Sequence, residues 1–276
     1  MSNADVTYLK YAMCNSALVA TDELRISPLG SGFMAGEGIF ETIRVRNSRV
    51  VLFDLHHARL AASLKILAAP PGSSRDEFLA GCIQVIAENS LVDGSVKLLI
   101  FGEAKSWSEL ILARQAAYTP AQYEQGFHLK TFPCDLRMDP FHGLKSLNYL
   151  RNVQARRKAL AAGFDEAIFV NPNQQVLEGA GTNIFVVKDG VISTPPLGSG
   201  ILPGVMRATI IQKLKLLTIR ERDVTLDELL QADEVFLTNA LLGIMPVAGV
   251  DGHAYTLFVN PVTRSMTAAL TEVLGD

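Results

Sequence analysis

The chain reads as a two-domain α+β protein. Three observations lead there. Short runs of alternating apolar residues recur beside stretches with helical spacing of apolar positions. The segment Gln115–Gln125, QAAYTPAQYEQ, has weak patterning and a proline, and it separates two such groups. With 276 residues, 49% of them apolar, the chain can bury two cores. The expected boundaries are 1–114 for a small N-terminal α+β domain, 115–125 for a linker and 126–276 for a larger C-terminal domain that carries Lys145.

In chain order, Ile39–Val45 and Val50–Phe53 read as strands joined at Asn47-Ser48. Asp54 is the expected N-cap of a helix through Leu67, with Leu60, Leu64 and Leu67 on one stripe, ended by Pro70-Pro71-Gly72. Ser74 and Glu77 form a capping-box signature for a second helix to about Glu88. Val96–Phe101 and Glu109–Ala113 are expected to pair as a hairpin. After the linker, a strand is predicted near Phe127–Phe132. A helix follows over Tyr149–Ala162, with Leu150, Val153 and Leu160 as its apolar stripe and Gly163 as its C′ residue. Glu166–Val170 and Asn183–Val187 read as strands, and Asp189-Gly190 as a hairpin turn. Pro203 or Gly204 opens a helix to about Leu217, and Thr225 with Glu228 caps a short one. Glu234–Thr238 is a strand, and Asn260-Pro261 starts a C-terminal helix with cap and first-turn residues in preferred places.

Composition excludes several classes. The net charge is −3, with no basic stripe, so nucleic acid and anionic membrane are not expected partners. No apolar run reaches the ~18 residues of a membrane span. The first residues lack a basic segment followed by an apolar one, so no secretory signal is expected, and a cytoplasmic setting is. Cys14, Cys82 and Cys134 are odd in number and far apart, which suits reduced thiols better than a disulfide or zinc framework. No metal site is expected.

The chemistry-bearing residues lie mostly in the second half. Lys145 stands in an apolar, small-residue setting, HGLKSLNY, before a helix. Glu178 lies in VLEGAGTNIF, a glycine-rich turn entering a strand. GILPGVMRATI places Gly204 and Val205 at a helix start, and FLTNALLGIMPV places Thr238, Asn239 and Ala240 at a strand end. Arg59, in DLHHARL, is the contribution of the first half. A helix start binds phosphate through free N–H groups, and an arginine adds a charge-assisted grip. A carboxylate facing a heteroaromatic nitrogen keeps it protonated. A partly desolvated lysine can form a Schiff base. Phosphate, pyridinium and aldehyde are the three handles of pyridoxal 5′-phosphate, although spacing alone does not name it.

The motifs also resemble a known family, the class IV aminotransferases of pyridoxal-phosphate fold-type IV. That family includes branched-chain and D-amino-acid aminotransferases and 4-amino-4-deoxychorismate lyase. FMAGEGIFETIRV is similar to the family's N-terminal strand motif, and HHARL to its phosphate-arginine helix. LKSLNYLRNVQAR resembles the Schiff-base lysine segment. DEAIFVNPNQQVLEGAGTNIFVVKDGVISTP resembles the signature around the ring-nitrogen carboxylate, and GILPGVMR the phosphate turn. The resemblance covers nearly the whole chain. It implies the two-domain fold-type IV architecture with cofactor between the domains, and a homodimer.

It further implies that Lys145 is the Schiff-base lysine and proton shuttle, and that Glu178 pairs with the pyridine nitrogen. Arg59, with the backbone of Gly204, Val205 and Met206, would hold the phosphate. Tyr149 would lie near the cofactor's phenolate side, Thr182 and Asn183 would line the pocket, and Asn239 and Ala240 would approach the phosphate by backbone. Many members carry Ser or Thr at the place of Ala240. Thr42 falls where the lyases have a threonine assigned to proton transfer.

The substrate, a small amine or amino acid, is left open between two reactions. Lyase chemistry, with Cα proton abstraction and loss of pyruvate to give 4-aminobenzoate for folate biosynthesis, is favoured by GIFETIRV. It is also favoured by a tyrosine four residues after Lys145 and by QADEVFLTNALLGIMPV. The alternative is transamination of branched-chain or D-amino acids. The usual Arg-Gly after the strand VKLLIF is Gly102-Glu103 here, and PLGSG replaces the usual Asp-Arg-Gly. A carboxylate-binding arginine is therefore unassigned, with Arg44, Arg114 and Arg151 as candidates. A binding protein that has lost the chemistry is disfavoured by the intact Lys145, Glu178 and Arg59.

Overall fold

The computed structural model describes residues 7–115, 118–139, 141–214, 217–257 and 260–275. They form two compact units. One comprises the described residues through Gln115 together with Leu144–Tyr149, and the other those from Tyr118 to Gly143 and from Leu150 onward.

The first unit is built on a six-stranded sheet. Its elements are β1 (Tyr8–Cys14), β2 (Ala17–Ala20), α1 (Ser31–Ala35), β3 (Gly38–Arg46), β4 (Arg49–Val50), α2 (Phe53–Ile66), α3 (Arg75–Glu88), β5 (Gly94–Gly102) and β6 (Trp107–Arg114). The strand order is β2-β1-β6-β5-β3-β4. Alternation along β3 sends Ile39, Ile43 and Val45 to one face. There they meet Leu60 and Leu64 of α2, Phe78, Cys82 and Val85 of α3, and Val96, Leu98, Ile100 and Ile111 of the neighbouring strands. The opposite face carries Phe40, Thr42 and Arg44, paired across to Leu99, Lys97 and Ser95. Asn47 and Ser48 both take positive φ, 48° and 59°, as a tight hairpin requires.

Two local expectations change here. Val50–Phe53 is not a full strand, because Phe53 already begins α2. The cap is Leu52 in the left-handed region at φ 55°, not Asp54. Asp54 lies in the first turn and accepts from Arg75 Nε at 2.7 Å. The Ser74–Glu77 capping box is present, with both reciprocal bonds formed.

The second unit holds, among its described residues, a nine-stranded sheet. Its elements run α4 (Pro120–Gln125), β7 (Phe127–Pro133), α5 (Leu150–Ala161), β8 (Glu166–Val170), β9 (Val176–Gly179), β10 (Asn183–Lys188), β11 (Val191–Thr194), α6 (Val205–Lys213), β12 (Ile219–Glu221), α7 (Leu226–Leu230), β13 (Glu234–Asn239), β14 (Gly243–Val250), β15 (His253–Ala254) and α8 (Pro261–Leu274). The order is β12-β11-β10-β13-β14-β7-β8-β9, with β15 on β14. β7 pairs in parallel with both β14 and β8, so residues from distant parts of the chain meet at the sheet's centre.

Four readings are corrected in this half. The expected linker contains α4, opened by a Thr119–Gln122 capping box. Tyr123 of that helix packs on the second core and donates its hydroxyl to Leu242 O at 2.8 Å. Ala116 and Ala117 lie outside the described residues. In α5 the buried face is Asn152, Ala155 and Ala159, while Leu150 is 69% exposed. Small residues let this helix approach Phe169 and Leu177 closely. α6 ends at Lys213, short of Leu217. Lys145 belongs to the first unit, not to the C-terminal one, because its segment bonds to β3.

Among the described residues no helix is long and apolar enough to cross a membrane. All three cysteines are free thiols, and burial pushes that of Cys82 up to about 12.

Candidate active site

The surroundings of Lys145 are set by β3. Its segment runs along the edge of β3 as an added strand. Phe40 N donates to Lys145 O at 2.8 Å, and Leu147 N donates to Gly38 O at 2.9 Å. A Cβ at Gly38 would come 2.7 Å from the Ile100 carbonyl oxygen and 2.8 Å from Phe101 Cβ, as well as 2.7 Å from Leu147 Cδ1, so only glycine fits there. The Lys145 amine then lies over two rings, 4.5 Å from the centre of Phe40 and 5.4 Å from that of Tyr149. Those rings meet edge to face at 5.3 Å. The faces of the two rings offer a cation an attractive surface.

Arg59 reaches from α2 toward the same strand. Its Nε and one terminal nitrogen donate to the two oxygens of Glu41, at 2.7 and 2.6 Å. His56, one turn earlier on α2, places Nδ1 2.7 Å from Glu41 Oε2. Glu41 and His56 are each only 1% exposed. Burial raises the Glu41 pKa, but the Arg59 charge and the His56 and Arg59 hydrogen bonds outweigh it and hold the carboxyl at about 2. Burial lowers the His56 pKa despite the Glu41 carboxylate, so its ring is neutral near pH 7 and Nδ1–H donates.

Sequence reasoning missed Glu41 and His56. The signal was available: in IFETI a carboxylate occupies the inward phase between Ile39 and Ile43, and such a group needs a buried cation. Thr42 has the opposite phase and faces Lys97 across the sheet, not Arg59.

In the second unit, Glu178 stands near the end of β9. Its Oε2 accepts from Leu202 N at 3.0 Å and from Asn183 Nδ2 at 3.3 Å. Asn183 also donates to Leu202 O at 3.1 Å. The Gly179–Thr182 turn is tight: Gly179 N bonds Thr182 O at 2.7 Å, and a Cβ at Gly179 would fall 2.1 Å from Thr182 Oγ1. Gly204 caps α6 with no side-chain cap, and a Cβ there would fall 2.0 Å from Asn183 Oδ1. The first N–H groups of α6, those of Val205 and Met206, have no preceding turn to bond. Asn239 spends its side chain on structure, donating to Gly181 O at 3.0 Å and accepting from Leu241 N and Leu242 N. That leaves backbone at Asn239-Ala240 to meet a ligand.

One detail tests whether a phosphorylated pyridine suits these residues. The Thr182 hydroxyl is buried with no hydrogen-bond partner among the described residues. A buried orphan beside a carboxylate, an asparagine and an uncapped helix start fits a polar ligand. Among the described residues no group of His, Cys, Asp and Glu could hold a metal ion.

A family model for amino-transferase class IV matches residues 38–250. The chain belongs to the class IV aminotransferase family. The crystal structure of the branched-chain amino acid aminotransferase of Escherichia coli matches with a TM-score of 0.89 at 30% identity, covering 96% of this chain and 95% of that one. The D-alanine aminotransferase of Bacillus licheniformis is 31% identical over 271 residues, 93% of this chain and 94% of its own. A candidate 4-amino-4-deoxychorismate lyase of Legionella pneumophila matches with a TM-score of 0.84 at 28% identity, covering 91% of this chain and 96% of that one.

The fold is therefore that of the fold-type IV enzymes, and this class IV protein is an enzyme whose cofactor is pyridoxal 5′-phosphate. The motif resemblance leaned toward the lyase. The comparisons put aminotransferases beside it and more often.

Proposed function

We propose that this class IV enzyme is an aminotransferase of branched-chain or D-amino acids that returns the amino group through an acidic keto acid. One observation carries the reading. Lys97 Nζ lies 4.3 Å from the centre of the Phe40 ring, the ring that also carries the Lys145 amine. Burial lowers the Lys97 pKa, and Arg114 adds to it. Register puts Arg44 and Arg114 on the same sheet face, both opposite Ser95. Leu99 and Leu112 share that face. A ping-pong transfer needs one surface that accepts an apolar side chain in one half and a carboxylate in the other. This face offers both.

When bound, the cofactor supplies an aldehyde for an amine to capture and a ring that takes up the Cα electron pair. The residues do the rest. Lys145 would be the base that takes the proton from the substrate Cα and carries it. Glu178, held in place by Leu202 and Asn183, would keep the ring nitrogen protonated. Arg59 would grip the phosphate by charge, and the N–H groups of Val205 and Met206 and the Asn239-Ala240 backbone would bind it by hydrogen bonds. Tyr149 and Thr182 would line the approach.

Lyase action on 4-amino-4-deoxychorismate is the second reading. Thr42 favours it, because it sits directly opposite Lys97 on the face bearing Phe40. A substrate with two carboxylates suits the same cations.

An amine screen separates the two. L-leucine and D-alanine with 2-oxoglutarate are expected to give keto acids, and 4-amino-4-deoxychorismate no 4-aminobenzoate. The opposite pattern would install the lyase reading. Lys145→Ala serves as the control and should abolish imine absorbance with the circular dichroism unchanged.

A further inference from the structure

The geometry points to Glu41 and His56 as positioning residues that fix the Arg59 guanidinium for a phosphate monoester. The inference rests on the reading that Arg59 holds the cofactor phosphate.

The arrangement is costly for stability alone. A carboxylate, a guanidinium and an imidazole are withdrawn from water on a face otherwise made of Ile39, Ile43 and Val45. Well-packed apolar residues commonly serve a core as well or better than a buried ion pair. What the charges supply is orientation. Glu41 accepts from Nε and one terminal nitrogen together, a two-point contact that sets both the position and the plane of the fork. His56 holds the carboxylate in turn, at the oxygen shared with the Arg59 terminal nitrogen. Ser63 Oγ donates to Arg59 O at 2.9 Å, so the backbone of that turn is tied as well.

A guanidinium so fixed is ordered before any ligand arrives, which removes the ordering penalty from binding. Helix α2 supplies His56 and Arg59 three residues apart on one face, and β3 supplies Glu41 beneath them. The Arg59 side chain keeps 12% exposure, against 1% for Glu41. The cluster is buried at its carboxylate end and partly exposed at its arginine end.

The test compares two ligands of the full-length protein after cofactor removal: pyridoxal 5′-phosphate and pyridoxal. The dissociation constant of pyridoxal divided by that of pyridoxal 5′-phosphate isolates the phosphate. Loss of general stability weakens both ligands and leaves the ratio unchanged, whereas loss of aim lowers it. Glu41→Gln is expected to lower the ratio about tenfold, the scale of one charge-assisted hydrogen bond. Arg59→Lys should lower it at least as much. If Arg59→Lys lowers it and Glu41→Gln does not, the positioning role is overturned while the phosphate role of Arg59 stands. If Arg59→Lys leaves the ratio at the wild-type value, the phosphate reading itself fails and takes this inference with it.

Should Glu41→Gln not fold, His56→Leu and His56→Gln decide the matter. The leucine variant should lower the ratio a few-fold and the glutamine variant, which keeps a donor to Glu41, should restore it. A wild-type ratio in His56→Leu would overturn the proposal.

Discussion

At the scale of single residues, the buried carboxylate of Glu41 and its imidazole neighbour link stability to acidity. Glu41 has a folded pKa of about 2 against an ordinary 4.5, so its contribution is complete above pH 4.5 and is lost as pH falls from there toward 2. That contribution is on the order of 3 kcal/mol. His56 has a folded pKa below its ordinary 6.5, so the unfolded chain takes up its proton first and stability begins to fall below pH 6.5. Urea midpoints of the wild-type protein should decline in both windows, and Glu41→Gln should make the slope below pH 4.5 clearly shallower. An unaltered acid limb in that variant would contradict the assignment. Lys145, Glu178, Gly204 and Asn239 stand out as candidates because each sits in a distinctive local string. Their partners could not. Nothing adjacent to Glu178 names Leu202 as its donor, a contact made 24 residues away.

At the scale of elements, local signals served well where local chemistry decides. The Ser74, Thr119 and Thr225 capping boxes are all formed, two of them at helices expected from the same residues. They failed where a distant group takes over. Asn260 stands at the start of α8, yet its side chain makes no cap bond and its Oδ1 is buried without a partner among the described residues. Glu234, at the start of β13, accepts instead from Val262 N at 3.0 Å and Thr263 N at 2.7 Å. Glu234→Ala is therefore expected to cost about 2 kcal/mol in chemical denaturation, and Asn260→Ala far less. The reverse ranking would restore the sequence-based assignment. Helix α5 teaches the same lesson about packing. Leu150, Val153 and Leu160 have the right spacing, but the helix rests on alanines, because closeness to β8 is gained by small side chains.

At the scale of the whole molecule, the α+β class and the division into two groups of elements follow from periodicity. The sheet orders do not, because β7 finds its parallel partners 37 or more residues downstream and pattern carries no address for them. The segment Leu144–Tyr149 is the clearest case: its place along β3 joins residues about a hundred positions apart. Read by composition it is a loop before a helix. Its structural role is that of a strand edge.

That stitch has a practical consequence for anyone dissecting the gene. A fragment stopped near Gln115 would keep the sheet and both long helices yet leave the Gly38–Phe40 margin of β3 with bare backbone donors and acceptors, a surface prone to self-association. Such a fragment should aggregate, and a synthetic peptide spanning residues 142–149, supplied in excess, should keep it in solution by filling the gap. A fragment that stays monomeric without the peptide would mean the seam is dispensable.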